Sequence, residues 1–273
     1  MMGAHSGARP AWQTLCGVPR AVILAAGGPG RQPTILVVED DPRMQLLVQA
    51  VLRTEGFGVL TASDGDVVLG LVKRHQPDAL VLDLKMPRVS GLEALRAVRS
   101  AGEALPVIVL TGVSDEDWVL DAFEAGADDY VTKPFPPRIL LARLRAVLRR
   151  RELSTVEDGE LAGDQAGEVS LDPRTHDARV RGQTVRLTPT EYQLLRTLMR
   201  GAGRVFTADE LLARVWGPTY VGQDDIIRAN IYRLRHKLEP EPRRPRYIQG
   251  RRGVGYFFAG RAAEEPNVVP NGS

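Results

Sequence analysis

Residues 79–91 read ALVLDLKMPRVSG, and this stretch decides the fold of the first half of the chain. Its first four residues, Ala79–Leu82, form an apolar run, and Asp83 ends that run with a carboxylate. Short runs that are apolar at every position are typical of strands in a parallel sheet, because helices cover both faces of such a sheet. The stretch therefore predicts a buried strand with an acidic residue at its carboxyl end.

Similar runs recur on both sides of this stretch. They alternate with segments in which apolar residues return at helical spacing, such as the segment from Met44 to Leu52. This alternation of strand and helix patterns predicts a doubly wound α/β sheet with parallel strands. The apolar runs are Ile35–Val38, Gly58–Thr61, Ala79–Leu82, Val107–Leu110 and Tyr130–Thr132.

The pattern changes after a polar stretch from Glu152 to Gly167, which is rich in Glu, Asp and Gly and predicts a linker. Beyond it, strand-like pieces precede three helical segments, of which the third covers about Asp225 to Leu238. Two strand-like stretches interrupted by glycines then predict a hairpin at the end of this half. The strand-like pieces are Glu168–Leu171, Ala178–Val180 and Val185–Leu187, the hairpin covers Arg246–Phe258, and capping boxes pair Thr188 with Glu191 and Thr207 with Glu210.

The length and composition limit the class of protein. A chain of 273 residues is long enough for two domains that each bury a core. The single cysteine, Cys16, excludes a disulfide framework and a cysteine metal site. No apolar run is long enough to span a membrane, and Ala21–Ala26 is shorter than the hydrophobic region of a secretory signal peptide. We therefore expect a cytoplasmic protein without a membrane partner, in which residues 1–33 and 259–273 are disordered extensions.

The net charge of +2 hides a difference between the two halves. Between Thr34 and Arg150 there are 14 Lys and Arg against 17 Asp and Glu, whereas between Gln165 and Gly260 there are 17 against 10. The first half is therefore slightly acidic and the second half is basic. A basic domain is suited to a polyanionic partner.

Polar groups follow the apolar runs of the first half at the point where each strand should end. Carboxylates that meet at the same edge of a parallel sheet repel one another unless a cation lies between them, and oxygen ligands of this kind suit Mg²⁺. A phosphate group is the natural remaining ligand, which makes Asp83 a candidate nucleophile. Alternatively, each acid is only a turn or helix cap and the lysine only a solvated charge. The residues concerned are Glu39, Asp40, Asp41, Asp83, Thr111 and Lys133.

The strings ILVVEDD, LVLDLKMPRVSG, VIVLTG and DDYVTKPF resemble the receiver domains of response regulators over residues 34–150. The resemblance implies a flavodoxin-like fold with Asp83 as the phosphoacceptor. It also implies a metal site in which Asp40 and Asp83 bind Mg²⁺ directly, Glu39 acts through water and the backbone carbonyl of Lys85 completes the ligands. Thr111 and Tyr130 would form the switch pair beside Lys133, although Tyr130 is equally compatible with a plain core aromatic. Gly112, where the family more often has Ala, is a departure.

The third helix of the second half carries several polar and basic residues outside its apolar stripe. Basic helix faces are often only solvated, but this helix follows two capped helices and precedes an arginine-bearing hairpin. A helix of this kind fits the major groove of DNA, and the hairpin arginines are placed for the minor groove. Asn230 and Arg233 lie three residues apart and are expected to address neighbouring base edges. The candidate DNA-binding residues are Arg228, Asn230, Tyr232, Arg233, Arg235, Lys237, Arg251 and Arg252.

The strings VRLTPTEYQLLRTL, FTADELLARVWG, IIRANIYRLRHKLEP and YIQGRRGVGYFF resemble the winged-helix effector domain of the OmpR/PhoB group. They imply an α+β winged-helix domain over residues 168–258, separated from the receiver by a linker over residues 151–167. The match departs from the group at Asp225, Arg228 and Asn230, so the resemblance supports DNA binding but does not identify the base sequence.

The resemblance also implies a symmetric dimer face made by the fourth helix, fifth strand and fifth helix. Charge pairs of that face are represented here by Asp128, Asp129, Arg143 and Arg145, whereas Val119 and Ile139 replace one commonly charged pair. We expect either that these two residues simply drifted or that they form an apolar contact across the dimer, enlarged by Trp118.

Together these features predict a transcriptional regulator of a two-component system that is not a conventional enzyme, because its only chemistry is modification of its own Asp83. Its expected partners are a sensor histidine kinase, double-stranded DNA, a second copy of the chain after phosphorylation and, as a further candidate, RNA polymerase. One alternative is a Mg²⁺-dependent phosphohydrolase, but that enzyme needs a second Asp shortly after the nucleophile, where Leu84 and Lys85 stand. Another alternative is a DNA-binding protein with a vestigial receiver.

Overall fold

The computed structural model describes residues 32–112, 116–156 and 164–259. The predicted extensions lie outside this range except for residues 32, 33 and 259. Within it, the first half alternates strands and helices as the sequence predicts. Their bounds are β1 Thr34–Val38, α1 Pro42–Thr54, β2 Gly58–Ala62, α2 Val68–His75, β3 Ala79–Asp83, α3 Gly91–Ser100, β4 Val107–Gly112, α4 Glu116–Ala125, β5 Asp129–Lys133 and α5 Pro137–Val156.

The strands of the first half form one parallel sheet in the order β2-β1-β3-β4-β5. This confirms the doubly wound α/β prediction. Alternate residues of β3 face opposite sides of the sheet, so that Leu80 and Leu82 join one apolar cluster while Ala79 and Val81 join the other. Because β1 and β3 are adjacent and parallel, the residues that follow them meet at the same edge of the sheet.

A close backbone approach fixes the loop that follows β3. The amide of Gly91 donates to the carbonyl of Leu84 over 3.0 Å. A Cβ atom at Gly91 would lie only 1.9 Å from the carbonyl oxygen of Asp83, so no other residue fits here without a backbone shift. A capping box between Ser90 and Glu93 begins α3 at this point. The glycine therefore holds the start of α3 against the end of β3, where Asp83 lies.

The second half begins with an antiparallel sheet in the order β6-β7-β8-β9, followed by three helices and a hairpin. Both predicted capping boxes are present at the starts of the first two of these helices. The bounds are β6 Gln165–Ala166, β7 Val169–Leu171, β8 Asp177–Val180, β9 Gln183–Arg186, α6 Pro189–Arg200, α7 Ala208–Val215, α8 Asp224–Leu238, β10 Ile248–Arg251 and β11 Gly255–Phe258.

The linker predicted over residues 151–167 is partly occupied by secondary structure. Helix α5 continues to Val156, because residues 151–156 contain neither glycine nor proline to end it. On the other side, β6 pairs with β7 from Gln165 onward. Secondary structure therefore enters the expected linker from both ends.

A buried glutamate attaches the hairpin to the end of α8. Glu239 caps this helix, and its carboxylate accepts hydrogen bonds from the backbone amides of Arg246, Tyr247 and Ile248 at 2.6, 2.9 and 2.8 Å. These bonds satisfy donors at the start of the hairpin that would otherwise be buried without partners. Glu239 therefore holds the start of the hairpin against the end of α8. Among the residues described, no helix is both long and apolar enough to cross a lipid bilayer.

Candidate functional site

Three carboxylates meet at the edge of the parallel sheet where β1 and β3 end. Glu39 and Asp40 follow β1 and Asp83 is the last residue of β3, and each offers an oxygen within 4.8 Å of the others. Asp41, the fourth acid predicted here, instead caps α1 by accepting a hydrogen bond from the amide of Arg43 at 2.8 Å. The prediction that the strand ends converge is confirmed for the first three acids, and Asp41 has the helix-capping role that was its alternative reading.

Lys133, at the end of β5, lies between two of these acids. Its Nζ is 2.7 Å from Oε2 of Glu39 and 2.9 Å from Oδ2 of Asp83. One ammonium group thus neutralises part of the charge of two buried carboxylates, while Asp40 is exposed at the rim. Three carboxylates with a single lysine leave an excess of negative charge, and the oxygen-only donor set is the one that Mg²⁺ prefers. These residues therefore fit a divalent cation.

Burial changes the proton affinities of this site. It raises the pKa of Glu39 to about 7, against the lowering effect of the hydrogen bond from Lys133. Burial alone would lower the pKa of Lys133, but its hydrogen bonds with Glu39 and Asp83 raise that pKa above its usual value. The lysine therefore stays charged near neutral pH, while Glu39 is only partly ionised.

We expect the Mg²⁺ affinity of the chain to rise about tenfold between about pH 6 and about pH 8, because a cation binds the ionised form of Glu39 and competes with its proton. Calorimetric titration of the full chain with MgCl₂ at both pH values measures this. In the Glu39→Gln variant the side chain at position 39 does not ionise in this pH range. This variant should therefore bind Mg²⁺ more weakly, and its affinity should depend little on pH. An equal pH dependence in wild type and variant would contradict the assignment to Glu39.

Thr111 and Tyr130 lie on the two strands beyond Asp83. Thr111 is buried near the end of β4, and Tyr130 is half-buried on β5 with its ring against Phe123 in an edge-to-face contact of 5.7 Å. The guanidinium of Arg143 lies 5.5 Å from the Tyr130 ring. The switch role of Thr111 and Tyr130 stays a prediction. The backbone amide of Lys85 approaches Oδ1 of Asp83 at 3.4 Å, which places the loop of the predicted carbonyl ligand beside the site.

Helix α8 presents different residues to solvent and to the rest of the protein. Its apolar stripe packs inward as predicted, and Arg228 and Tyr232 are exposed on another face. Two more of the predicted residues are engaged by the protein itself, since Arg235 donates to the carbonyl of Ile248 and Lys237 to the carboxylate of Glu191. Arg251 and Arg252 are exposed at the end of β10 and in the hairpin turn.

The structure corrects the expected placement of Asn230 and Arg233. They do lie on one side of α8, and Arg233 donates a hydrogen bond to Asn230, but their exposed fractions are 0% and 6%. The Nε atom of Arg233 is 3.5 Å from Glu191. Asn230 in turn donates to the carbonyl of Ile226, so both residues are engaged within the second half. Contact of these two residues with DNA stays a prediction.

The charged residues of the expected dimer face divide into two groups. Asp128 and Asp129 are fully buried, and Arg143 pairs with Asp129 at 2.7 Å. Arg145, which was expected on the same face, instead pairs with Glu55 at the end of α1. Arg143 and Arg145 point to different sides of α5 because they are two residues apart on a helix.

The two apolar residues of the expected dimer face, Val119 and Ile139, have different surroundings. Val119 packs against an apolar cluster that includes residues of the second half, whereas 40% of Ile139 is exposed. Trp118 joins the same cluster and faces the ammonium of Lys85 at 6.0 Å. The structure therefore gives Val119 and Trp118 partners within the chain, and an apolar contact between two copies stays a prediction.

Sequence reasoning missed the residues that join the two halves. Trp216 at the end of α7 donates from Nε1 to the carbonyl of Asp128 at 3.3 Å. Tyr220, in the turn before α8, donates its hydroxyl to Asp129. Both aromatic residues were visible in the sequence, but no local pattern indicates that their partners lie about ninety residues away in the chain.

Comparison with known protein families covers both halves of the chain. Residues 35–145 match the family described as "Response regulator receiver domain". Residues 182–258 match the family described as "Transcriptional regulatory protein, C terminal".

Individual relatives match along nearly their whole length. The chain is 39% identical over 222 residues to the DNA-binding response regulator MtrA of Mycolicibacterium smegmatis, covering 81% of this chain and 95% of that protein. It is 37% identical over 239 residues to the alkaline phosphatase synthesis transcriptional regulatory protein PhoP of Bacillus subtilis, covering 86% and 98%. A solved structure of a RitR mutant superposes with a TM-score of 0.69 at 24% identity, covering 83% and 98%, which supports the fold alone.

Proposed function

The chain belongs to the OmpR/PhoB family of two-component response regulators, and from this premise we propose that phosphoryl transfer to Asp83 controls the binding of its C-terminal domain to promoter DNA. The phosphoryl donor is the phosphohistidine of a sensor kinase. The protein is a phosphorylation-dependent transcriptional regulator, and its relatives are named as regulators rather than as conventional enzymes.

The proposed step is a displacement at phosphorus by the Asp83 carboxylate. A bond forms between an Asp83 oxygen and the phosphorus atom while the bond from phosphorus to the kinase imidazole nitrogen breaks, and that nitrogen leaves with the bonding electron pair and takes up a proton. Lys133 contacts Oδ2 of Asp83, and in the proposed step it donates to a phosphoryl oxygen there. The hydroxyl of Thr111 is the proposed second donor.

Asp40, Asp83 and the carbonyl of Lys85 are the proposed direct ligands of Mg²⁺, with Glu39 acting through water, and the cation when bound would neutralise negative charge on the phosphoryl oxygens. The observation that carries the proposal is the meeting of three acids and Lys133 at the carboxyl edge of the sheet. The phosphohydrolase alternative needs a second Asp shortly after the nucleophile, and Leu84 and Lys85 stand there instead.

The output is binding to double-stranded DNA, with Arg228, Tyr232, Arg251 and Arg252 as the exposed contact residues. Because these residues lie on α8 and on the hairpin that Glu239 holds, the two elements can contact one duplex together. A dimer formed after phosphorylation would place two such domains on neighbouring half-sites, and RNA polymerase bound beside them is a further proposed partner.

Selection of genomic DNA fragments by the purified full chain, with and without beryllofluoride and Mg²⁺, tests this function. We expect beryllofluoride to enrich fragments that share one sequence motif when it is added to the wild-type chain. In the Asp83→Asn variant, the selected fragments should be nearly the same with and without beryllofluoride. Phosphorylation should act through an increase in specific affinity, since the basic surface binds all DNA weakly. Identical fragment sets in all samples, or steady turnover of a phosphate ester, would count against the proposal.

A further inference from the structure

Most exposed residues of α8 form one stripe along the helix. Four of them follow one another at spacings of three or four positions, which places them on the same side of a helix. The opposite side is apolar, and Ile227 and Leu234 on it are fully buried. A helix that lies in the major groove reads bases with the side that is turned away from its own domain. The stripe consists of Asp225, Arg228, Tyr232 and His236.

The first two residues of the stripe form an ion pair. Nη1 of Arg228 lies 3.4 Å from Oδ1 of Asp225, and its Nη2 lies 3.9 Å from Oδ2 of Asp224. All three side chains are about half exposed or more, so these ion pairs contribute little to stability. Two acids in the first turn favour the start of a helix, and here they also hold the arginine. Because a guanidinium has five N–H donors, Arg228 keeps donors for a further acceptor.

An arginine held in this way suits one base in particular. Guanine offers two acceptors, O6 and N7, on its major-groove edge, and a planar guanidinium can donate to both at once. The carboxylate of Asp225 repels DNA phosphates, so it weakens binding wherever Arg228 finds no such partner. The ion pair therefore favours a guanine, with Arg228 as the contact and Asp225 as a positioning residue.

The last two residues of the stripe form an ordered aromatic surface. The rings of Tyr232 and His236 have centroids 4.0 Å apart and planes tilted by 42°. Nδ1 of His236 donates to the backbone carbonyl of Tyr232 at 2.9 Å, since a carbonyl can only accept. Tyr232 nevertheless leaves 45% of its surface exposed. The apolar group that the major groove offers to such a ring is the C5 methyl group of thymine.

A basic cavity beside the stripe gives it a register on the duplex. The cavity has a volume of about 230 Å³ and is lined by residues of α8, of the segment that follows it and of the hairpin. One lining residue, Arg235, donates from Nε to the carbonyl of Ile248 and so joins the helix to the hairpin. None of the lining residues carries a carboxylate, so nothing in the wall repels a backbone phosphate. A phosphate held there fixes the stripe over the neighbouring base edges. The basic lining residues are Arg228, Arg235, His236 and Arg243.

We propose that Arg228 and Tyr232 determine the base sequence that the chain recognises: Arg228, held by Asp225, donates to O6 and N7 of a guanine, and Tyr232 packs against the methyl group of a thymine. Four residues of helix rise about 6 Å and stacked bases lie about 3.4 Å apart, so the two bases lie within about two base pairs of each other. The inference rests on the proposed function, because it names the bases that the DNA-binding domain reads.

The first experiment selects duplexes from a random pool with the full chain, with and without beryllofluoride and Mg²⁺. We expect a motif in which a guanine and a thymine lie within about two base pairs. Arg228→Ala should lose the preference for that guanine but keep the preference for thymine, and Tyr232→Ala should do the reverse. Arg243→Ala is the matched control. It removes a cation from the cavity, so it should weaken binding to all duplexes about equally and leave the motif unchanged.

The second experiment changes single groups of the DNA in a fluorescein-labelled duplex that carries the selected motif. In this duplex 7-deazaguanine lacks the N7 acceptor, and uracil lacks the methyl group of thymine. Wild type should bind about tenfold more weakly after the first change and about fourfold more weakly after the second. Arg228→Ala should be insensitive to 7-deazaguanine but still sensitive to uracil, and Tyr232→Ala should show the opposite pattern. Tyr232→Phe keeps the ring and should match wild type.

Asp225→Asn tests the positioning role of the carboxylate. The loss of one negative charge should tighten binding to a duplex without the motif by about threefold. The penalty for 7-deazaguanine should fall from about tenfold to about threefold, because the guanidinium of Arg228 is held less firmly. A domain that was merely destabilised would instead bind both kinds of duplex more weakly.

The outcomes separate this inference from the proposed function. If wild type is insensitive to both base changes, or selects no motif with a guanine and a thymine, the inference is overturned whatever the variants do. The proposed function still stands in that case if beryllofluoride strengthens DNA binding. If the crossed pattern appears although beryllofluoride has no effect on wild type, the inference is supported and control through Asp83 is overturned. Equal sensitivity of wild type and both alanine variants to the base changes would also overturn the inference.

Discussion

Replacement of Asp83 by asparagine is expected to abolish the phosphoryl adduct that the full chain forms with acetyl phosphate and Mg²⁺. The amide is nearly the same size as the carboxylate, so the site should keep its shape. The amide, however, is uncharged and is a poor nucleophile. The substitution also removes one of the three acids that fit the cation. Intact-mass spectrometry compares wild type and variant, and we expect one added phosphoryl group in the first and none in the second.

The matched control for this experiment is Asp66→Asn, which removes a carboxylate paired with the exposed Arg88 and outside the acidic cluster. Its adduct should equal that of wild type. An adduct of undiminished amount in the Asp83→Asn variant would place the phosphoacceptor elsewhere and contradict the proposed function.

The second large effect is expected at Glu239, which supports the DNA-binding hairpin. In the Glu239→Ala variant the backbone amides of Arg246, Tyr247 and Ile248 lose their acceptor, so we expect the unfolding free energy of this region to fall by about 3 to 5 kcal/mol. Hydrogen exchange of residues 224–258 in the full chain, followed by mass spectrometry, reports this local free energy.

Two variants in the same region make the prediction at Glu239 specific. Glu239→Gln keeps one oxygen acceptor and should lose about half as much stability. Glu241→Ala removes an exposed acid paired loosely with Arg244 and should change the free energy by less than about 0.5 kcal/mol. Equal losses for Glu239→Ala and Glu241→Ala would show that the buried carboxylate does not hold the hairpin.

The acidic site was predictable from sequence because its geometry follows from the fold class. Parallel strands bring their carboxyl ends to one edge, so that residues far apart in the chain, such as Glu39, Asp83 and Lys133, are placed together once the strands are identified. The helix starts at Thr188 and Thr207 were predictable for a similar reason, since a capping box depends on residues only three apart.

The surface of α8 was only partly predictable. Helical spacing correctly placed Asn230 and Arg233 on one side, but spacing alone does not tell whether that side meets solvent or another domain. Arg233 meets Glu191 of α6, and Asn230 meets Ile226 of α8. Contacts between the halves are equally invisible to local spacing, since Trp216 meets Asp128 across 88 positions of sequence. The orientation of Arg145 toward Glu55 was missed because the resemblance matched positions without the direction of each side chain around α5.

The bond between Tyr220 and Asp129 joins two parts of one chain, so its formation does not depend on the concentration of the protein. An intramolecular partner is present at a fixed effective concentration, so the fraction of chains with this bond formed is the same whether a cell holds few copies or many. Pairing of two receivers, in contrast, grows with copy number.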